Sequence, residues 1–321
     1  MVGERFTVCL ADDLVARPRV TPGQAPAPPL PAVMVRIPLE VSAVITFRGV
    51  PMAALTSAEI SLPSMPDALR VRERIAALAD TVDVVALTDN HAGEARMSPL
   101  AAVALAREQG VSTVVHVSCR DRNRLALQSQ VIGAAALGAE GVLCVYGDPV
   151  TDVPRVKDLT ATGLIGRVKT WAAPHEIAVG AVVNPFGSDL DREIALLERK
   201  LAAGAEFVQS QMTFDLDALR AFLERTATLL DGVRFYAGLA LLRNERMADR
   251  ARQLPGCVLP DAAHRTIVSG GGLDLAAELA NDLAAMPGVD ALHIYPLGAE
   301  AATREIAATF RSGRGVPAHR H

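Results

Sequence analysis

A regular alternation of short β-branched or apolar runs with stretches of helical periodicity most constrains the fold of this chain. Eight short runs predict strands, at residues 52–60, 82–88, 112–118, 141–146, 177–183, 206–211, 233–239 and 291–295. Amphipathic stretches predict helices at residues 67–79, 99–108, 123–137, 190–203, 216–230, 273–286 and 299–310. Strands that alternate with helices predict a parallel sheet with right-handed crossovers.

Helix-terminal residues support these assignments. Ser188 and Asp189 precede the acidic residues Asp191 and Glu193, which is the pattern of a helix N-terminus. Three glycines follow predicted helices and precede predicted strands: Gly138, Gly204 and Gly288. Eight such repeats predict a (β/α)8 TIM barrel. The alternative is a doubly wound open sheet, but no G-x-G-x-x-G follows the first strand.

The first part of the chain has a different composition. Residues 18–33 read PRVTPGQAPAPPLPAV, and this many prolines excludes a helix or a sheet interior. We therefore expect residues 1–50 to form an N-terminal extension that is partly mobile, with an additional strand at residues 37–47. Residues 51–315 are the predicted barrel domain.

Charge and composition exclude several classes of function. The net charge is −4, and one tryptophan and three tyrosines leave few rings for base stacking, so nucleic-acid binding is not expected. No apolar run reaches the roughly 20 residues of a membrane helix, and the N-terminus does not resemble a secretory signal. Four cysteines without a C-x-x-C pair indicate a reducing cytoplasm, with neither a zinc site nor a disulfide framework. We expect no bound metal.

Polar residues gather where the predicted strands end, which is the rim that carries chemistry in barrels of this kind. Each also has a structural interpretation. Glu59 is equally suited to a salt bridge, His116 to a core position, and residues 147–149 to a turn. Gln209 and Gln211 lie on the same side of one strand and would cap a barrel layer. Arg199 and Lys200 are by default solvated helix positions.

Several segments carry a resemblance to a known family. They are Ala95-Arg96-Met97-Ser98-Pro99-Leu100, His116-Val117-Ser118-Cys119-Arg120-Asp121-Arg122-Asn123, Gly147-Asp148-Pro149, Asn184-Pro185, Glu198-Arg199-Lys200, Phe207-Val208-Gln209-Ser210-Gln211 and His293-Ile294-Tyr295. Together they resemble the methylenetetrahydrofolate reductases, closest to the flavin-dependent bacterial branch and to the reductase domain of homocysteine methyltransferase fusions. The match runs in order from about residue 52 to about residue 310.

The resemblance implies a reaction and its residues. Glu59 matches the general acid that protonates N10 of 5,10-methylenetetrahydrofolate. Asp148 matches the carboxylate that stabilises the resulting iminium, and Gln211 matches a pterin-binding glutamine. Reduction to 5-methyltetrahydrofolate would use FAD, reduced in turn by NADH or NADPH. The positions that match flavin contacts are Thr88, His116, Tyr146, Gly147, Asp148, Arg199 and Lys200.

Departures from the family pattern keep other functions open. Leu62-Pro63 stands where many members have Pro-Pro, Gly298-Ala299 where many have Asn-Arg, and Tyr146 where some have arginine. One alternative is a flavoenzyme of the same scaffold that acts on another substrate. Another is a non-catalytic folate-binding partner in one-carbon metabolism. The resemblance also implies assembly into a homo-oligomer and a role in methionine biosynthesis.

Overall fold

The chain folds into a closed barrel of eight parallel strands. In this computed structural model the described residues are 55–148, 150 and 154–316. The predicted extension, its strand at residues 37–47 and the first residues of the barrel domain lie outside them. The strands are β1 Thr56–Ile60, β2 Val84–Leu87, β3 Thr113–Ser118, β4 Gly141–Val145, β5 Ala178–Val183, β6 Phe207–Met212, β7 Arg234–Ala240 and β8 Ala291–Tyr295.

Barrel closure follows from the strand pairing. Each strand pairs in parallel with the next, and β1 also pairs in parallel with β8, so that Ser57 lies opposite His293. The predicted TIM barrel is therefore confirmed over the open sheet. All eight predicted strands are present, with bounds that shift by a few residues at most among the described residues.

The helices lie outside the strands. They are α1 Ala68–Ala79, α2 Pro99–Glu108, α3 Arg124–Ala136, α4 Ala161–Ala172, α5 Leu190–Ala202, α6 Leu216–Thr226, α7 Glu245–Gln253, α8 Asp261–Val268, α9 Gly272–Ala285 and α10 Glu300–Gly313. Asp189 caps α5 by accepting a hydrogen bond from the amide of Arg192 at 3.0 Å. Gly138, Gly204 and Gly288 all have positive φ after their helices, as predicted.

Three helices were not predicted, and one was predicted too long. The α4 segment contains two glycines and two threonines, which weaken a helical signal. In α7 only Ala248 and Ala251 are buried, and α8 is short, so neither has a broad apolar stripe. The helix predicted at residues 216–230 ends at Thr226, and turns follow it.

Two groups of buried side chains form the core. The larger one lies between the strands and the helices. The smaller one fills the lumen near the N-terminal ends of the strands and consists of Val84, Val114, Leu143, Ala178, Phe207, Tyr236 and Ala291. The rings of Phe207 and Tyr236 meet edge to face, with centroids 5.8 Å apart. Within the described part of the chain this apolar layer closes the bottom of the barrel, and the polar end of the lumen is the opposite one.

Candidate active site

Polar side chains replace apolar ones in the lumen toward the C-terminal ends of the strands. Because side chains alternate along a strand, Ser57 and Glu59 share one face of β1. The corresponding faces of the other strands supply His116, Gln209, His293 and Tyr295. All of these except Tyr295 are buried, and Tyr295 is partly buried. The upper layer of the lumen is therefore a set of hydrogen-bonding and titratable groups.

Glu59 is the acidic group of this layer. The residue is 8% exposed, and burial raises the pKa of its carboxyl to about 7. The positive charge of Arg74 opposes this rise in pKa, and the negative charge of Asp148 adds to it. A carboxyl group that keeps its proton near neutral pH can serve as a general acid.

His293 and Ser57 accompany Glu59 on adjacent strands. The Ser57 hydroxyl lies 2.8 Å from Nδ1 of His293, and Nε2 of the same ring lies 4.0 Å from a carboxylate oxygen of Glu59. Nε2 is buried and has no hydrogen-bond partner among the described residues. Burial holds the pKa of His293 well below its usual value, so the ring is neutral. This arrangement was not predicted as part of the site. The sequence contained a signal for it: Ser57 lies two positions before Glu59, on the same face of β1, and β8 contains a histidine.

His116 and Thr88 come from β3 and the end of β2. Burial lowers the pKa of His116 to about 4, and its buried Nε2 has no partner within the described part of the chain. The Thr88 hydroxyl accepts from the amide of Leu62 and donates to the carbonyl of Ile60, each at 3.3 Å. Thr88 therefore links the ends of β1 and β2, whereas His116 has a nitrogen available for a ligand.

The segment after β4 has a fixed shape. Gly147 has a φ of +95°, and a Cβ there would lie 1.8 Å from the hydroxyl oxygen of Ser118, so only glycine fits. Tyr146 lies between two arginines, with Arg120 over its ring at 5.8 Å and Arg155 donating to its hydroxyl at 3.3 Å.

Asp148 is exposed at the same end of the barrel. Its carboxylate accepts a hydrogen bond from the amide of Ala92 at 2.8 Å. Because the charge of Asp148 contributes to the raised pKa of Glu59, the two predicted catalytic carboxylates interact electrostatically across the mouth.

The end of β6 contributes two glutamines. Gln211 donates to the carbonyl of Pro255 at 3.3 Å and accepts from the amide of Met212 at 2.9 Å. Gln209 donates to the Tyr295 hydroxyl at 3.1 Å. The register with β7 shifts between Gln209 and Met212. Such a bulge re-aims the side chains that follow it, and Gln211 extends toward the loop that follows α7.

Two of the residues that match flavin contacts, Arg199 and Lys200, lie in the last turn of α5. Lys200 donates to the carbonyl of Val182 on β5 at 2.6 Å, and burial lowers the pKa of its ammonium. Arg199 is exposed and donates to the carbonyl of Ala195 in its own helix at 3.2 Å. Lys200 therefore lies against the barrel wall, and Arg199 faces outward.

Among the described residues, no histidines, cysteines and carboxylates form a group of three or more that could hold a metal ion. No helix there is both long and apolar enough to span a bilayer.

The comparisons with known proteins agree with the fold and the motifs. Methylenetetrahydrofolate reductase 1 of Schizosaccharomyces pombe is 24% identical over 212 residues, 61% of this chain and 35% of that protein. A probable methylenetetrahydrofolate reductase (NADPH) of Caenorhabditis elegans is 22% identical over 214 residues, 61% of this chain and 32% of that protein. The chain thus spans about a third of the length of these relatives.

Solved structures share the barrel, and one of them has a TM-score of 0.58. It is an uncharacterized protein from Clostridium thermocellum that binds two copies of 5-methyl-5,6,7,8-tetrahydrofolic acid. The TM-score is 0.58 at 10% identity, over 79% of this chain and 95% of that one, and this likeness shows the fold alone. The family model described as methylenetetrahydrofolate reductase matches residues 52–311. Because this match covers most of the 321 residues, the chain belongs to the methylenetetrahydrofolate reductase family.

Proposed function

We propose that this chain reduces 5,10-methylenetetrahydrofolate to 5-methyltetrahydrofolate. The observation that carries the proposal is Glu59, a buried carboxyl with a pKa of about 7 at the mouth of a barrel of this family. Protonated Glu59 would donate its proton to N10 of the folate. The bond from N10 to the methylene carbon then breaks, and its electron pair stays on N10. The product is a cationic N5 iminium, ready to accept a hydride.

The neighbouring groups suit this step. The carboxylate of Asp148 at the mouth would stabilise the cationic iminium. Gln211 has an amide side chain that could exchange its contact with Pro255 for the pterin edge. Neutral His293 lies 4.0 Å from Glu59, so the imidazole neither lowers the pKa of the acid by a positive charge nor removes its proton in the ground state.

A flavin fits the residues present. The buried and unpartnered Nε2 of His116 needs a hydrogen-bond partner that the described residues do not supply. We propose that FAD is held by the set predicted from the family: Thr88, His116, Tyr146, Gly147, Asp148, Arg199 and Lys200. The flavin would supply the hydride, and NADH or NADPH would supply the reducing equivalents. Neutral His116 would then contact the flavin ring without adding a positive charge.

Other parts of the proposal concern the whole protein. Residues 1–50 would be an extension and residues 51–315 the reductase domain. Assembly as a homo-oligomer, a cytoplasmic location and a role in methionine biosynthesis are proposed on family grounds. Three described cysteines are buried free thiols, Cys119, Cys144 and Cys257, which is consistent with a reducing compartment. The folate ligand of the C. thermocellum barrel adds support for a folate substrate.

Absorption spectroscopy tests the proposal directly. The purified protein should show flavin bands that bleach on anaerobic addition of NADH or NADPH and return on addition of methylenetetrahydrofolate. A colourless protein that still couples oxidation of the nicotinamide to folate reduction would overturn the flavin assignment alone. A reduced flavin that does not respond to the folate would overturn the substrate assignment and favour a flavoenzyme with another substrate.

A further inference from the structure

The loop that follows β2 contacts Asp148 at the barrel mouth. Residues 89–97 are defined here as the β2 loop. The amide of Ala92 in this loop donates to the Asp148 carboxylate at 2.8 Å, although the two residues are 56 positions apart. Within the described part of the chain, this is the only hydrogen bond that the Asp148 carboxylate accepts. The orientation of this exposed carboxylate therefore depends on the β2 loop.

The β2 loop begins at a buried ion pair that has no part in the proposed reaction. The side chain of Asp89 is 1% exposed, and Arg122 donates to both of its carboxylate oxygens, to Oδ1 at 2.8 Å. The amide of Ser118 at the end of β3 donates to the same carboxylate at 2.8 Å. A charge-assisted fork of this kind fixes geometry as well as adding energy. The first residue of the β2 loop is thus fixed to β3 and to the segment between β3 and α3.

The far end of the β2 loop is anchored to the segment after β1. The amide of Met97 donates to the carbonyl of Pro63 at 2.8 Å, and the Arg96 guanidinium donates to the carbonyl of Leu62 at 3.3 Å. Within the loop, the amide of Arg96 donates to the side chain of Asn90 at 3.1 Å. Both ends of the β2 loop are therefore held by the barrel, which restricts the backbone between them.

The middle of the β2 loop has an unfavourable backbone. Asn90 has a φ of +46° and Ala92 a φ of +62°, both in the left-handed region. Asparagine tolerates this region, but alanine adopts it at a cost in free energy. The Ala92 side chain is exposed, so burial of its methyl group does not account for the conformation. Such strain persists where the surrounding structure enforces it, and here it directs the amide of Ala92 to Asp148.

We propose that the β2 loop positions the carboxylate of Asp148 for the reduction, with Asp89, Arg122 and Ala92 as positioning residues. The inference rests on the proposed reductase function. Asp89 and Arg122 fix the start of the loop, and the left-handed backbone of Ala92 brings its amide to the carboxylate. The negative charge then lies at the mouth before the cationic iminium forms, so that no reorganisation is needed when it does.

Two substitutions of the same exposed side chain test this inference. Valine is strongly disfavoured in the left-handed region, so Ala92→Val should withdraw the amide from Asp148. Ala92→Gly is the matched control, because glycine adopts this backbone freely and keeps the amide in place. We expect kcat for folate reduction to fall by up to about 10²-fold in Ala92→Val, as for a misplaced catalytic group. Ala92→Gly should remain within a few-fold of the wild type.

The pH profile of turnover distinguishes positioning from a loss of stability. Turnover requires protonated Glu59, so it should fall as the pH rises through the pKa of that carboxyl. Burial raises this pKa, the charge of Arg74 lowers it and the charge of Asp148 raises it. The uncharged rings of His293 and Tyr295 on β8 are further titratable neighbours of Glu59.

Displacement of the Asp148 charge should therefore move the falling limb of the profile to lower pH. We expect a shift of about half a pH unit in Ala92→Val, as for a charge lost across a solvated mouth, and no shift in Ala92→Gly. Asp148→Asn should show the same shift, and Ala92→Val should add nothing to it. A wild-type limb in Ala92→Val would overturn the inference and leave the reductase proposal intact.

A charge-neutral replacement tests the role of the ion pair. Asp89→Asn alone would leave Arg122 with an unbalanced positive charge, which by itself lowers the pKa of a nearby carboxyl. The double variant Asp89→Asn, Arg122→Gln removes the fork and leaves the net charge unchanged. If the pair positions the β2 loop, this double variant should shift the limb as Ala92→Val does. A wild-type limb in the folded double variant would overturn the role of the pair. The substitutions of exposed Ala92 do not depend on the stability of this pair.

Hydrogen exchange of the Ala92 amide, followed by NMR in the full chain, requires no turnover. Asp148→Ala removes the acceptor, so exchange should become about tenfold faster, as expected for the loss of a hydrogen bond to a charged group. Unchanged exchange would overturn the inference whatever the substrate is. Faster exchange in a wild-type background that reduces no folate would overturn the proposed function instead, and leave the contact of the β2 loop with Asp148 established.

Discussion

The two ends of the barrel lumen differ in how completely their side chains find packing and hydrogen-bond partners. At the bottom, Phe207 and Tyr236 meet edge to face, and the ring of Phe207 fills the space above Gly180 so closely that a Cβ there would lie 2.2 Å from it. At the top, His116 and His293 each bury a nitrogen that has no partner among the described residues. The same eight strands carry both layers.

The difference shows how a barrel can separate stability from chemistry. Burial of apolar rings stabilises the fold at the bottom by about 25 cal/mol per Å². An unpartnered buried polar group costs about 1–3 kcal/mol, and the upper layer contains at least two. Such a layer persists because the rest of the fold holds it in place, and its unused hydrogen-bonding capacity is then available to a ligand.

The largest expected effect is on catalysis at the top. Glu59→Gln removes the proton donor while preserving shape, so folate turnover should fall by about 10²- to 10⁴-fold, the usual contribution of general acid catalysis. Reduction of the flavin by NADH or NADPH should remain near the wild-type rate, measured by stopped-flow absorbance. The control is Glu140→Gln at the opposite end of the barrel, where the Glu140 carboxylate accepts a hydrogen bond from the Ser112 hydroxyl. This variant should retain turnover. Normal turnover by Glu59→Gln would exclude the acid role.

The matching change at the bottom should affect stability instead. Phe207→Ala leaves a cavity in the apolar layer, and the free energy of unfolding should fall by about 3–5 kcal/mol, measured by urea denaturation. At temperatures where the variant remains folded, kcat should stay within a few-fold of the wild-type value, because no group of the upper layer has changed. A loss of kcat as large as that of Glu59→Gln would contradict the separation of the two layers.

The pH dependence of stability sharpens the same comparison. The pKa of Glu59 rises from 4.5 in the unfolded chain to about 7 in the native protein, so the unfolded state loses its proton first. Native stability should therefore decline as the pH rises from about 4.5 through 7, and above 7 the full cost approaches about 3.5 kcal/mol at about 1.4 kcal/mol per pKa unit. Glu59→Gln should be more stable than wild type at pH 8 by up to this amount, but not at pH 4.5. Equal stabilities at pH 8 would mean that Glu59 ionises normally.

The fold could be predicted because its signals are local. Each strand is a short apolar run, and most helices carry an apolar stripe, so the eightfold repeat is visible along the chain. Helix α7 shows the limit of this approach: only Ala248 and Ala251 are buried, and a helix with so few apolar contacts has no stripe to detect. The hydrogen bond from Gln211 to the carbonyl of Pro255, in the loop after this helix, joins residues 44 positions apart in sequence.

The site could be predicted only as a set of positions at strand ends. The family resemblance predicts Glu59 as the acid, but the raised pKa of its carboxyl depends on burial, which the sequence does not state. The partnership of Ser57 with His293 requires the closure of β1 on β8, a contact across 236 positions. Arg199 and Lys200 look equivalent in sequence, yet the helix turns Lys200 toward Val182 and leaves Arg199 exposed.

The smallest effect should come from Ser57→Ala, which tests how much the upper layer depends on its one short hydrogen bond to an imidazole. The change leaves Nδ1 of buried His293 without its 2.8 Å partner, so the free energy of unfolding should fall by about 1–3 kcal/mol. If the serine only stabilises the fold, the pH profile of turnover will not move. If it orients His293 toward Glu59, the apparent pKa of turnover should shift, and Ser57→Thr, which retains the hydroxyl, should restore it. A shift without rescue by threonine would assign the effect to packing around β1.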